Sequence, residues 1–242
     1  MKRYPILAIM VVVALVCLLS TETLAQKKKK KPKACAKSLA ACPLEGCGTD
    51  FDPLLNRSKN RSDEPAEADI VDMSVSQVKH LSQNLPAGWG ESDARDTFTG
   101  PSKEGQPVRV MAWLWKSKRE HRESCNCGLD GTGTRGEKLT DIHMVLTTYQ
   151  NSAESSSMTA EITPRVRAGR PKPITWTYGR LRKNDKKYVR VTGWLMLDTH
   201  HLVSGPLVRA TNWEVHPIMK LEVCTSTATK CRADESLWLE IK

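Results

Sequence analysis

Long apolar runs are nearly missing from this 242-residue chain. The one that stands out, Ile6 to Leu19, is shorter than the roughly 20 residues that a membrane-spanning helix needs, and it directly follows Lys2 and Arg3. A basic start, a short apolar middle and the Thr23-Leu24-Ala25 step before Gln26 predict a cleavable signal peptide over residues 1–25. Bulky Val16 before Cys17 speaks against a lipoprotein site. Familiar catalytic signatures are lacking too: there is no His-Glu-x-x-His helix and no serine elbow. The glycine-rich stretch 128–136 has neither a P-loop lysine nor EF-hand acid spacing, and it reads as a flexible loop. Acidic residues are the scarcer charge, 27 against 37 basic ones, and the resulting +10 bears on partners and solubility rather than on fold. Hydrophobic content of 39 % and seven tryptophans still allow a real core.

Residues 26–104 read as a basic arm followed by an extended, loop-rich lead-in. Lys27 to Lys31 and Lys33 repel one another, which predicts a disordered arm suited to solvation or loose adhesion to an anionic surface. Pro, Ser, Asp and Asn dominate the lead-in, with one hint of a short helix or strand at Val75 to Leu85. Near Pro107 the pattern changes. Alternating and β-branched stretches predict strands at Val108–Trp115, Asp141–Tyr149, Met158–Thr163, Tyr188–Leu197 and Trp213–Cys224. A proline-rich segment with a short helix near 176–182 would join the third to the fourth. Three strands, a helical connection and two more strands is the order of an OB fold. The expectation is therefore a mainly β protein with a small OB-fold-like five-stranded barrel over 105–224 and a C-terminal tail over 225–242. Another small barrel or a sandwich could use the same strands.

Two strands share a local pattern, Asp141-Ile142-His143 and Glu214-Val215-His216. A strand period of two puts each acid on the same face as its own histidine. Asp141, His143, Glu214 and His216 could together hold a divalent metal such as zinc or support proton transfer. The plainer expectation is that each pair satisfies itself by hydrogen bonding, with no cofactor.

Between Pro164 and Arg190 ten basic residues face one acid, Asp185. Arg165, Arg167, Arg180, Arg182, Lys183, Lys186 and Lys187, interleaved with Trp176 and Tyr178, form a candidate polyanion-binding strip: cations track phosphates and rings stack on bases. The first loop of the proposed barrel mixes Lys116, Lys118, Arg119 and Arg122 with Glu120, Glu123, Asp130 and Glu137, which argues against the usual ligand face of such barrels as the polyanion site.

After signal cleavage seven cysteines remain, and in an exported protein they predict disulfides. Cys42, Cys47, Cys125, Cys127, Cys224 and Cys231 are the candidates, with Cys35 left over as the free thiol. Cys125 and Cys127 are too close to pair comfortably with each other, while Cys224 and Cys231 suit a local closure. Four sulfurs from Cys42, Cys47, Cys125 and Cys127 could alternatively bind zinc.

Cys42-Pro-Leu-Glu-Gly-Cys47-Gly48, Leu55-Asn56-Arg57-Ser58-Lys59-Asn60-Arg61, Glu123-Ser-Cys-Asn-Cys127, Asp141-Ile-His143 and Trp213-Glu-Val-His-Pro217 resemble stretches of uncharacterised bacterial exported proteins. The resemblance spans roughly 42–224. It implies a bacterial origin, a secreted or periplasmic location and unglycosylated sequons at Asn56 and Asn60, and it carries no activity across. The leading functional expectation is a non-enzymatic secreted module that binds an anionic polymer, nucleic acid or envelope glycan. The alternatives are a metal-dependent hydrolase built on the two acid–histidine pairs, and a structural envelope protein without a discrete ligand.

Overall fold

A computed structural model of the chain describes residues 35–48, 51–81, 104–131, 136–169, 176–202 and 208–242. The expected signal peptide and lysine arm lie outside the described residues. Seven strands are present: β1 (Val71–Ser74), β2 (Pro107–Arg119), β3 (Ile142–Thr147), β4 (Met158–Ile162), β5 (Tyr188–Leu197), β6 (Trp213–Cys224) and β7 (Trp238–Glu240). β2 pairs antiparallel with β3 and also with β5, β3 with β4, and β5 with β6. β4 and β6 run parallel and close the circle. The barrel is thus a closed ring of five strands in the order β2-β3-β4-β6-β5, with the topology of an OB fold. β1 adds to β2 in parallel and β7 to β6 antiparallel.

Closure depends on β2. Its first half pairs with β5 and its second half with β3, and the register shifts between Leu114 and Lys116. Such an irregularity bends a strand so that it can serve both edges of a small barrel. Alternate residues of β2, Val108, Val110, Ala112 and Leu114, are buried and face the core with Ile142, Met144, Leu146, Met158, Ala160 and Ile162. β5 and β6 show no alternation; they are buried almost throughout, because both of their faces are covered. Gly193 marks the tightest approach between them, since a Cβ there would come within 2.3 Å of the Pro217 carbonyl oxygen.

The helices are short: α1 (Pro53–Lys59), α2 (Val75–Lys79), α3 (Pro164–Gly169), α4 (Tyr178–Arg182) and α5 (Ala228–Ala233). The lead-in is loop-rich but does more than trail. Asp52 caps α1 by accepting from the Leu54 and Leu55 amides. α2 opens with a capping box between Ser74 and Gln77 and buries Val75 and Val78 in the barrel core. Each valine gains about 1.5–3 kcal/mol by burial, which sustains a helix far too short to persist alone. The expected tail is likewise packed. β7 extends the sheet, Ile241 joins the core, and Trp238 stacks with Tyr188 beside Cys231. Arg190 locks this corner through two hydrogen bonds to Glu222, at 2.8 and 2.9 Å, and one to Glu235 at 2.6 Å.

Three disulfides are formed: Cys35–Cys47, Cys42–Cys127 and Cys224–Cys231. This corrects the expectation for the odd cysteine. Cys35 is bonded and Cys125 is the free, buried thiol. With Cys42, Cys47 and Cys127 all cross-linked, the four-sulfur zinc site is excluded. Among the described residues no helix is long and apolar enough to cross a membrane.

Candidate metal centre

On β3, β4 and β6, residues that do not point into the core point outward, and at mid-face three polar side chains form a row. Antiparallel register sets His143 opposite Glu161. The β4–β6 ladder pairs Thr159 with Glu214 and Ala160 with Val215, so its next step brings Glu161 beside His216. β3 and β4 are the second and third strands of the barrel, the face on which OB folds usually receive ligands. Here that face is roofed over by α1 and by the loop that joins β2 to β3.

The roof is tied down by specific contacts. The Asn60 amide donates to the Cys125 carbonyl at 2.8 Å and to the Leu44 carbonyl at 2.9 Å. The Asn56 amide donates to the Glu45 carbonyl, and Ser124 donates to the Asn56 side chain. The Cys47 amide donates to Ser124 O at 2.8 Å beside Gly46, whose φ of +70° and lack of a side chain permit that approach. The sequon asparagines are therefore buried structural residues.

Under the roof lie Asp141, Glu161, Glu214 and His216, all at most 1 % exposed, with the partly covered Glu123 and His143 beside them. One expected local pair forms, Glu214 with His216, whereas Asp141 and His143 each turn to other partners. His216 Nε2 approaches Asp141 Oδ2 at 3.4 Å, while its Nδ1 lies 3.2 Å from Glu214 and 3.3 Å from Glu161 Oε2. His143 Nε2 lies 2.6 Å from Glu161 Oε1, and its Nδ1 lies 3.0 Å from Glu120. Both histidines thus converge on one carboxylate, that of Glu161. The outer wall is made by Asn126, which donates to Asp141 at 2.7 Å, by Lys59 at 3.7 Å from Glu123, and by Arg209 between Asp198 and Glu214.

Four of the inner atoms are buried without a hydrogen bond of acceptable direction: Asp141 Oδ2, Glu161 Oε2, His143 Nε2 and His216 Nε2. Buried polar atoms are almost always satisfied; here imidazoles and carboxylates face one another, His143 Nε2 toward Glu161 Oε1 at 2.6 Å and His216 Nε2 toward Asp141 Oδ2 at 3.4 Å, so positive charge, as protons or a metal ion, is needed between them. A cation meets the need. The 3.4 Å between Asp141 Oδ2 and His216 Nε2 is close to the roughly 3.3–3.4 Å expected between two ligands on a tetrahedral ion with bonds of about 2.0–2.1 Å. Ligand atoms of Asp141, Glu161 and His216 lie within 4.8 Å of one another.

Electrostatics agree with a site made for positive charge. Burial by itself would lower the His216 pKa, but Glu161, Asp141 and Glu214 outweigh it and push it up to about 10. His143 is raised to about 9 in the same way, against burial, by Glu161, Glu120 and Glu123. Glu161 is held well below its ordinary value by the two imidazoles, although burial opposes this. Burial and then Asp141 raise Glu123 to about 7. Protons held on the two imidazoles offset part of the carboxylate charge, and bound divalent metal would take over that role as those protons leave.

The remaining site expectations are dispersed. Arg165 donates to the Cys42 and Pro43 carbonyls and Arg167 to the Thr140 carbonyl. Trp176 is 2 % exposed and donates to the Ile241 carbonyl at 2.6 Å, and Tyr178 packs half-buried against the core. The strip drawn from the sequence is narrowed accordingly: Trp176 is buried and not available for stacking on bases, and Arg165 and Arg167 are engaged with backbone carbonyls. Arg180, Arg182, Lys183, Lys186 and Lys187 remain exposed on α4 and the turn after it, with Lys186 4.6 Å above the Trp115 ring. Glu161 and Glu123 were not among the expected site residues, and Cys125 was expected only as a disulfide partner or sulfur ligand. The one signal for Glu161 was a lone charge within Met158–Ile162. No protein-family model, curated protein or solved structure matches the chain.

Proposed function

We propose that the cluster is a divalent-metal centre and that this chain is an exported, metal-dependent hydrolase. The observation that carries the reading is the enclosed imidazole–carboxylate cluster on the barrel's ligand face, in which ligand atoms of Asp141, Glu161 and His216 lie within 4.8 Å of one another. The second nitrogen of each histidine lies against a carboxylate, Glu120 or Glu214. That arrangement orients metal-binding imidazoles and fixes which nitrogen is free to coordinate. Three protein ligands with an open position are typical of catalytic rather than structural zinc. A cavity of 170 Å³ lined by Ser58, Arg61, Glu104, Trp194 and His216 touches the cluster at His216. A bound divalent ion would acidify water and polarise a carbonyl or phosphoryl oxygen. Disulfides persist in oxidising compartments, and the three cross-links support a location outside the cytoplasm.

Metal analysis of the purified mature protein, before and after chelation, tests the reading. Bound zinc, manganese or iron should be lost from Asp141→Ala and His216→Ala variants that remain folded by circular dichroism. Ester or phosphodiester hydrolysis should vanish with chelator and return with the ion. Protein that binds no divalent ion at any concentration tried would end the proposal.

The five exposed cations on α4 and its turn support a second, separate reading, a surface that adheres to anionic polymers.

A further inference from the structure

We propose that the centre holds two divalent ions, bridged by the Glu161 carboxylate; this deepens, and rests on, the metal-centre reading. The features that mark a metal ligand occur twice. On one side, His216 turns Nε2 toward Asp141 at 3.4 Å and rests Nδ1 against Glu214. On the other, His143 turns Nε2 toward Glu161 at 2.6 Å and rests Nδ1 against Glu120. Glu161 stands between them and offers a different oxygen to each side, Oε1 beside His143 Nε2 and Oε2 beside the His216 ring at Nδ1.

Each half also has its own second carboxylate. Ligand atoms of Asp141, Glu161 and His216 fall within 4.8 Å of one another, and so do those of Glu123, His143 and Glu161. A single ion cannot use both halves well. A carboxylate that offers its two oxygens to two histidine-bearing pockets is instead the usual bridge between ions about 3.5–4 Å apart. Glu123 and Asp141 further share the Cys125 thiol, with ligand atoms again within 4.8 Å, which links the two halves along a second edge. Asp141 Oδ2 and His216 Nε2, both on fully buried side chains, face each other at 3.4 Å without a well-directed hydrogen bond, which distinguishes this space from a mere patch of acids. Imidazole with carboxylate suits borderline cations such as zinc or manganese.

The experiment is a titration of chelator-stripped full mature protein with Mn²⁺ or Zn²⁺, read as ions bound per chain. Two ions should bind to wild type, and one each to His143→Ala and to His216→Ala. His143→Asn provides a gentler variant should the alanine form misfold, and it should also bind one. The electron paramagnetic resonance spectrum of wild type loaded with two Mn²⁺ should show a spin-coupled pair, and Glu161→Ala should abolish the coupling. Saturation at one ion, with His143 variants unchanged, would overturn the dinuclear proposal while leaving the metal centre standing. Binding of no ion would overturn both.

Discussion

Cys125 and Cys127 sit two residues apart and face opposite ways. The tight turn at Ser124–Asn126 ends on Cys127 in the left-handed region, φ 57°, which sends its sulfur to Cys42. Cys125 turns inward, 3.1 Å from Glu123, and burial followed by Glu123 and Asp141 raises its thiol pKa well above the ordinary value. A protonated, enclosed thiol is inert. Thiol titration of unreduced protein should therefore find about one group after denaturation, following the odd cysteine count, and almost none in the folded state. Rapid labelling of native protein, or a label mapped to Cys35, would contradict this assignment. The same scale shows what spacing reveals and what it hides. Asp141 with His143, and Glu214 with His216, are legible because a two-residue period places each pair on one face. Glu161 has no such partner on its own strand. Its role follows from which strands lie side by side, and that is information about register rather than local sequence.

Barrel strands were readable from alternation and β-branching, and β5 and β6 begin and end where those patterns do. The lead-in helices were fainter, because α1 has 7 residues and α2 has 5, too few to display a helical period, and only α2 left a hint, at Val75 to Leu85. Their caps, Asp52 before Pro53 and Ser74 with Gln77, were further local marks. Trp176 was misread for a related reason: ten surrounding charges dominate the composition, yet one ring plugs the core. At this scale the pairing of β5 with β6 carries a pH signature. Burial would raise the Glu222 pKa, but its hydrogen bonds to Arg190 and Lys220 outweigh that and lower it below 4.5. A carboxyl that titrates lower in the fold than in the unfolded chain stabilises above the unfolded value and loses that contribution as pH falls. Glu222→Gln should lower Tm near neutral pH and flatten the decline in Tm between about pH 5 and 3. Parallel curves for the two proteins would show that the Arg190–Glu222 pair contributes nothing to acid sensitivity.

Taken whole, acids predominate under the roof on the ligand face, with Lys59 and Arg209 at its wall, while the exposed cations of α4 and its turn lie elsewhere. A barrel whose usual ligand face is sealed has no open groove for a nucleic-acid strand there, so polyanion adhesion falls to the α4 surface. Replacing Arg180, Arg182 and Lys183 together with Ala should reduce the log–log salt slope of heparin retention by about two to three units. An unchanged slope would assign retention to the lysine-rich residues at 27–33 or to no defined surface.

The Cys42–Cys127 bond joins residues 85 apart and fastens the roof to the barrel, and a loop of that length is worth roughly 4–5 kcal/mol of constraint on the unfolded chain. It also sets an order of events. In a reducing compartment the bond does not form, and the loop that carries Glu123 and Cys125 is then not clamped above Glu161. If the chain is exported as proposed, the centre is completed only after the polypeptide has left the cytoplasm, and its ions then come from outside rather than from the cell's internal metal supply.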